Sequence, residues 1–365
     1  MDLQVDLGER AYPIHFRQNG RQELIDRIKS QYGERTVLVI SDDNVADLYA
    51  ADFTSRLNAS GTDAHLLTFS GGEASKSLAT VHGLYERALS IGVDRQTPVI
   101  AYGGGVVGDV SGFFAATMLR GLPYIQVPTT ILAQVDSSVG GKVGVNFAGG
   151  KNLVGSFYQP RWVFCDSAHF KTLDAEERRS GLVEAIKHAL LADRLLFEAF
   201  QDAARAIVDG DDDRLIELLP RVVEIKSQVV ADDERETGRR ILLNLGHTLG
   251  HAFEAADEQL RHGDAVSLGI RATLALSERH VGLSSKTRKM VEHLLDQIGG
   301  PKDWKRRLTS AALDWIGLDK KTLGERLNFI ALRAIADPVV LNFDLNEFKA
   351  LIGRLARPRL EERRA

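Results

Sequence analysis

The sequence predicts an α/β protein in two parts, a mainly parallel sheet domain over residues 1–170 and an all-helical domain over residues 171–365. Three observations predict it. The first half alternates short β-rich runs with helical stretches, as an open sheet covered on both faces does. After about residue 170 strand runs nearly vanish and long amphipathic segments take over. The length, 365 residues, leaves room for two cores at roughly 100–200 residues per domain.

Taken in order, Thr36–Ser41 is a continuous apolar run of the buried-strand type, closed by a turn at Asp42-Asp43-Asn44. His65–Phe69 is a second strand, and Ser77–Ser90 a helix with apolar positions at helical spacing. Pro98–Tyr102 is a third strand that runs straight into glycines, and Ile125–Val127 a fourth, stopped by Pro128. Ligands of such sheets sit at the carboxyl ends of the strands. The second half offers helices over Asp174–Leu191, Asp193–Val208, Asp213–Asp232, Gly246–Glu258, Ala265–His280 and Lys286–Ile298. Asp211-Asp212-Asp213 reads as a solvated helix start, and Arg354 onward as a charged, frayed tail. With no internal repeat or low-complexity linker, the domains are expected to pack tightly around a cleft.

Composition excludes several classes. Hydrophobic residues at 44% and charged residues at 26% describe an ordinary globular chain. The 46 basic and 50 acidic side chains leave a net charge of −4, so no basic excess points to nucleic acid and any cationic site is a local cluster. The single cysteine, Cys165, excludes a disulfide framework and a Cys-rich zinc site, and reads as a small buried hydrophobe in a reducing compartment. Met1-Asp2-Leu3-Gln4-Val5-Asp6 is acidic where an export signal would be basic, and no apolar run nears the ~20 residues of a membrane span. A soluble cytoplasmic protein is expected, with no membrane or nucleic-acid partner.

Glycine is the informative departure, with 33 residues concentrated at Gly71-Gly72, Gly103–Gly108, Gly140-Gly141 and Gly149-Gly150. Gly103–Gly108 fits G-x-G-x-x-G after a strand and before a helix, where backbone N–H groups and a helix N-terminus face a pyrophosphate. A tight strand–helix turn would use the same residues. The acid that usually holds the ribose about 20 residues later is also missing, since Asp136 comes too late. Acids stand instead on earlier turns, at Asp42 and Glu73. The balance favours a dinucleotide, in a Rossmann-like but non-standard arrangement.

Glu184, Lys187 and His188, at i, i+3 and i+4, share one helix face. Alone they read as a solvated salt-bridge stripe. Asn244, His247 and His251 fall on one face of a second helix, and His262-Gly263-Asp264 opens a third. A lone histidine is more often structural, but two on one face and a third after a turn have metal-ligand spacing. Glu184 would complete three protein ligands with a position left open for substrate. Among the cations Arg120, Lys142, Lys151, Lys187, Lys226, Arg240, Lys320 and Lys321, most could simply be solubilising. Lys142 follows Gly140-Gly141 and Lys151-Asn152 follows Gly149-Gly150, however, and a cation on a glycine turn suits an anionic ligand.

The stretches GGEASKS (71–77), GGGVVGDVSGF (103–113), RGLPYIQVPTTILAQVDSSVGGKVGVN (120–146), GKNLVGSFYQP (150–160), GLVEAIKH (181–188), RRILLNLGHTLGHAFE (239–254), HGDAVSLG (262–269) and DKK (319–321) span nearly the whole chain. Together they resemble the 3-dehydroquinate synthase family of the sugar-phosphate cyclases. The resemblance implies NAD held by Asp42, Asn44, Gly71, Gly72, Glu73, Lys76, Gly104, Gly105, Val106, Gly108, Asp109, Thr129, Thr130, Lys142, Lys151, His169 and Thr172. It implies one divalent metal, zinc or cobalt, on Glu184, His247 and His262. It implies substrate held by Arg120, Asp136, Lys142, Asn152, Lys187, Lys226, Arg240, Asn244, His251 and Lys321, with His251, Lys187, Lys142, Asn152 and Arg240 catalytic. It implies a homodimer in which the arginine matching Arg120 reaches the neighbouring subunit's site. Two departures stand out: His169 where the family often has phenylalanine beside the nicotinamide site, and Asp174 where proline usually follows Thr172-Leu173.

The reaction implied is conversion of 3-deoxy-D-arabino-heptulosonate 7-phosphate to 3-dehydroquinate and phosphate, in the shikimate pathway to aromatic amino acids. It would run by transient NAD-dependent oxidation, phosphate elimination, re-reduction and intramolecular aldol closure, with NAD regenerated. Cyclases of the 2-deoxy-scyllo-inosose or valiolone type are the alternative within the class. Their substrates lack the carboxylate and such relatives tend to change the residues matching Arg240 and Asn244, both present here. A metal- and NAD-dependent polyol dehydrogenase would instead accumulate NADH. A non-catalytic NAD-binding module would need neither the ligand set nor the cations.

Overall fold

In the computed structural model, residues 1–236, 238–257, 259–316 and 326–356 are described. The chain forms two compact units, one of Met1–Asp174 with Lys226–Arg235, the other of Ala175–Ile225 with the chain from Glu236 onward. The expected tail from Arg354 and the helix end at Glu258 fall partly or wholly outside the described residues, as does Lys320-Lys321.

The first unit opens with an antiparallel pair, β1 (Asp2–Val5) and β2 (Tyr12–Arg17), then α1 (Arg21–Tyr32). There follow β3 (Thr36–Asp42), α2 (Asp43–Val45), α3 (Ala51–Ala59), β4 (Asp63–Phe69), α4 (Leu78–Ile91), β5 (Val99–Gly103) and α5 (Gly105–Thr117). Next come β6 (Tyr124–Pro128), the hairpin β7 (Lys142–Phe147) and β8 (Gly150–Phe157), and β9 (Trp162–Asp166). The central sheet runs β1-β2-β9-β6-β5-β3-β4, and every pair in it except β1–β2 is parallel. Alternation along β3 explains the layering: Leu38 and Ile40 pack with α4 and α5, whereas Val37 and Val39 pack with α1 and α3. Cys165 on β9 is buried.

The second unit carries α6 (Ala175–Ala192), α7 (Arg194–Val208), the start of α8 (Asp212–Asp232), α9 (His247–Ala256), α10 (His262–His280), α11 (Ser285–Gln297), α12 (Trp304–Arg307) and α13 (Ser310–Trp315). It is not all-helical. A hairpin of β10 (Arg326–Ala334) and β11 (Asp337–Asp344) precedes α14 (Leu345–Ala356). Leu327, Phe329 and Ala331 enter the core that Leu249, Phe253, Leu268, Ala272, Phe348 and Ile352 build from α9, α10 and α14, so two strands replace the helix that would otherwise cover that face. No helix among the described residues is long and apolar enough to cross a membrane.

Candidate active site

In the sheet unit, four strand ends lie along one edge. Asp42 is level with Phe69, Ile40 with Ala101, and Gly103 with Pro128. The segments that follow therefore share that edge: Asp42 and Asn44 after β3, Gly71-Gly72-Glu73 after β4, Gly104 and Gly105 after β5, and Thr129-Thr130 after β6. The sheet also changes direction of growth here, since β4 flanks β3 on one side and β5 on the other, the crevice where open α/β sheets bind ligands. Gly104 caps α5 without a side chain, so the first-turn N–H groups of Gly105, Val106 and Val107, ahead of the Gly108 N–H that bonds the Gly104 carbonyl, are open to an anion. Thr129 N–H binds the Gly103 carbonyl at 3.0 Å, and Thr130 Oγ1 accepts from Ala133 N–H at 3.0 Å. These features fit a pyrophosphate and its riboses.

Other members of the expected cofactor set have partners that define their state. Asp42 Oδ1 caps the short α2 by accepting from Val45 N–H at 2.9 Å. Lys76, buried, pairs with Asp109 in α5, two turn-lengths from Gly103. Burial lifts the Asp109 carboxyl above its ordinary range, against the pull of Lys76. His169 is buried with Nε2 2.9 Å from the Tyr102 hydroxyl, and desolvation pushes its pKa down to about 4. Thr172 Oγ1 meets the Tyr49 hydroxyl at 2.7 Å, and Tyr49 also stands edge-on to His169, with ring centroids 4.8 Å apart. Asn146, which sequence reasoning missed, ties three pieces together. Its Nδ2 donates to Glu73 Oε1 at 2.8 Å, its Oδ1 accepts from Asn152 N–H at 2.9 Å, and its N–H binds the Lys76 carbonyl at 2.9 Å.

Lys142 and Lys151 come just after the left-handed glycines Gly140-Gly141 and Gly149, at the starts of two strands. Lys142 begins β7 and Lys151-Asn152 lie within β8, and Gly144 and Gly155 let the two strands cross at close range as a hairpin. Lys226 Nζ donates to Asp136 Oδ1 at 2.6 Å and to its carbonyl, joining two expected substrate residues in this unit. Arg120 is exposed on a turn where Leu119 and Arg120 both take left-handed φ, +50° and +69°.

In the helical unit, α6 carries Glu184 and Lys187, both buried, with Nζ 2.5 Å from Glu184 Oε2. His247 Nε2 is 3.6 Å and His262 Nε2 3.7 Å from Glu184 Oε1. One ligand atom from each of Glu184, His247 and His262 lies within 4.8 Å of the others. Each histidine turns its other nitrogen to an oxygen, Nδ1 of His247 to the Leu245 carbonyl at 3.2 Å and Nδ1 of His262 to Glu254 Oε2 at 3.4 Å. Imidazoles oriented in this way, facing a buried carboxylate, fit a divalent ion with tetrahedral N and O preference. Desolvation drives the His247 pKa well below its ordinary value, with Lys187 adding to it. Burial disfavours a charge on His262 too, but the Glu184 and Glu254 carboxylates outweigh that and raise it to about 10.

The position of His262 has a steric cause. Gly263 N–H donates to Ser180 Oγ at 3.1 Å, and a Cβ at Gly263 would stand 2.3 Å from Ser180 Cα. Asp264 then takes Arg179 in a two-pronged ion pair at 2.7 and 2.8 Å. Glycine and aspartate thus dock α10 on α6 so that His262 meets Glu184. Glu254, Arg179 and Asp264 were not anticipated; Glu254 could have been, as it shares the α9 face of His247 and His251.

His251 is exposed, its ring centroid 5.3 Å from that of His247 and 6.2 Å from that of His262. Asn244 departs from expectation. It ends a 3₁₀ segment, Arg239–Asn244, and Gly246 with φ +78° breaks the chain before α9, so Asn244 is not on the helix of His247 and His251. It donates instead to Glu236 Oε1 at 3.1 Å. Arg240 on the same segment is buried. Lys321 lies outside the described residues.

Comparison with known proteins places the whole chain in one family. Residues 66–180 match the family described as 3-dehydroquinate synthase N-terminal, and residues 181–322 match 3-dehydroquinate synthase C-terminal. The chain is 38% identical over 335 residues to a 3-dehydroquinate synthase of Thermoanaerobacter pseudethanolicus, covering 91% of this chain and 94% of that one. Among solved structures it is similar to a 2-deoxy-scyllo-inosose synthase complexed with carbaglucose-6-phosphate, NAD+ and Co2+, at 25% identity and a TM-score of 0.85 over 97% of this chain and all 100% of the other. It is also similar to the 2-epi-5-epi-valiolone synthase of Streptomyces hygroscopicus with NAD+ and Zn2+ bound, at 25% identity and a TM-score of 0.83 over 96% and 98% of the two chains. By sequence across both halves, the chain belongs to the 3-dehydroquinate synthase family.

Proposed function

We propose that this chain is a carbon–oxygen lyase converting 3-deoxy-D-arabino-heptulosonate 7-phosphate to 3-dehydroquinate and phosphate, with NAD and one zinc or cobalt ion. The observation that carries the reading is 38% identity over 91% of the chain to a relative with that activity in its name. NAD would supply a reversible oxidation at C5, and the divalent ion would polarise the hydroxyls there.

The chain's own residues have the remaining tasks. The strand-end edge of the sheet unit would hold NAD, with its pyrophosphate at the bare start of α5 and its riboses toward Asp42 and Glu73. Glu184, His247 and His262 would hold the ion. Arg240 is buried, and its planar guanidinium suits a two-pronged bond to the substrate carboxylate. Lys142, Asn152, Lys187 and Lys226 would bind the phosphate and hydroxyls, with Asn244 and Asp136 fixing the substrate's orientation. His251, one turn beyond His247, would take the proton of the C5 hydroxyl and return it.

We further propose a cytoplasmic homodimer in which Arg120 serves the other copy's site. Two consecutive left-handed residues hold that arginine outward, a strain of the kind that accumulates at functional positions.

The test is redox accounting. Purified protein with catalytic NAD should release phosphate from the heptulosonate phosphate with no steady rise in NADH absorbance. It should ignore sedoheptulose 7-phosphate and glucose 6-phosphate. NADH rising in step with product would make it a dehydrogenase, and turnover of either sugar lacking the carboxylate would make it another cyclase.

A further inference from the structure

Glu254 has no task in the reading above. It lies on α9 seven residues after His247 and three after His251, on the same helix face. Its Oε2 stands 3.4 Å from His262 Nδ1, while His262 Nε2 is the nitrogen that faces Glu184. A neutral imidazole has one lone pair, and an acceptor at one ring nitrogen decides that the other carries it. The Leu245 carbonyl does this for His247; a carboxylate does it for His262. Glu254 is not needed to anchor α10, whose start is already held by Arg179–Asp264 and by Gly263 on Ser180.

We propose that Glu254 is a positioning residue of the metal centre, accepting the Nδ1 proton of His262 so that Nε2 is kept aimed at the ion as a stronger donor. This rests on Glu184, His247 and His262 being the ligands. One other arrangement is geometrically open, because His251, Glu254 and His262 also offer ligand atoms within 4.8 Å of one another. Filled together with the first site, it would require His262 to bind an ion through each nitrogen, with no lone pair to spare in a neutral ring.

The experiment titrates zinc into metal-free protein against a competing chelator, for the wild type, Glu254→Ala, Glu254→Gln and Glu184→Gln. It also records metal content at saturation and the unfolding midpoint of each metal-free chain. Glu254→Ala should bind zinc about 10–100-fold more weakly, with one equivalent at saturation and an unchanged metal-free midpoint. Glu254→Gln keeps an accepting oxygen without the charge, so it should fall between the two and carries the test if the alanine variant folds poorly. Unchanged affinity in both variants would overturn the proposal. So would a fall from two bound equivalents to one, which would make Glu254 a ligand. Equal losses in the two variants, tracking lost stability of the metal-free chain, would assign it a structural role. If the wild type binds no zinc, or Glu184→Gln binds it as well as the wild type, the ligand set itself is wrong, a failure visible without any Glu254 variant.

Discussion

Two histidine rings with centroids 5.4 Å apart are driven in opposite directions: desolvation and Lys187 keep His247 neutral, and two carboxylates hold a proton on His262 up to about pH 10. Near neutral pH the metal-free centre therefore carries one imidazolium, and a divalent ion must displace its proton to bind. Because that pKa is raised, the proton competes at every pH below about 10. Zinc affinity should climb about tenfold per pH unit from neutrality and flatten near the His262 pKa. Calorimetry in buffers of different protonation enthalpy should find about one proton released per ion; no release would mean that His262 is already neutral. The task proposed for His251 lies at the same scale. It is exposed beside the His247 and His262 rings, and general acid–base work contributes typically ~10²–10⁴ in rate. His251→Ala should lose turnover in that range while keeping its metal and its NAD affinity. Loss of the metal instead would make His251 a ligand.

At the scale of elements, the approach of α10 to α6 is set by the missing side chain at Gly263. A methyl there would meet Ser180 Cα, a backbone atom that no side-chain rotation can move, at 2.3 Å, so Gly263→Ala must push the helices apart. Overpacking of this kind costs roughly 1–3 kcal/mol. Chemical denaturation of the metal-free variant should show that loss, and zinc binding should weaken with it; an unchanged midpoint would mean that the helices part without strain. The same elements show what the sequence made legible. Strands β3 to β6 were readable because each is a short apolar run bounded by turn residues, and the nearness of His247, His262 and Glu184 was expected from two histidines on one helix face, a third after a turn and a distant carboxylate. β2 was not, since Pro13 inside it demotes a strand reading. Nor was the hairpin of β10 and β11, whose apolar run reads equally well as buried helix and whose turn has Ala336 at φ +62° where glycine or asparagine would have signalled it. Asn244 was misplaced because i, i+3 spacing carries no sign of the left-handed break at Gly246. Glu254 and Asn146 escaped because each acts through another side chain, a relation made only by the fold.

The whole molecule is net acidic at −4, yet Lys187, Lys226 and Arg240 are buried. Burying cations is costly without anionic partners, and the chain supplies them for two of these, Glu184 for Lys187 and Asp136 for Lys226. Arg120 is the exception, exposed on its left-handed turn, which suits a group that acts across a two-fold interface. The homodimer proposed above would make each site from one copy's Lys187 and the other copy's Arg120. Arg120→Ala and Lys187→Ala chains should then be nearly inactive alone. Unfolded together and refolded at equal amounts, half of the dimers would be mixed. In each mixed dimer one site has both defects and the other has none. Random pairing in a two-fold dimer therefore restores about a quarter of wild-type turnover. Light scattering should report twice the chain mass throughout. If the refolded mixture is no more active than its parents while the mass is that of a dimer, Arg120 acts within its own chain; if the mass is that of one chain, there is no shared site to complement.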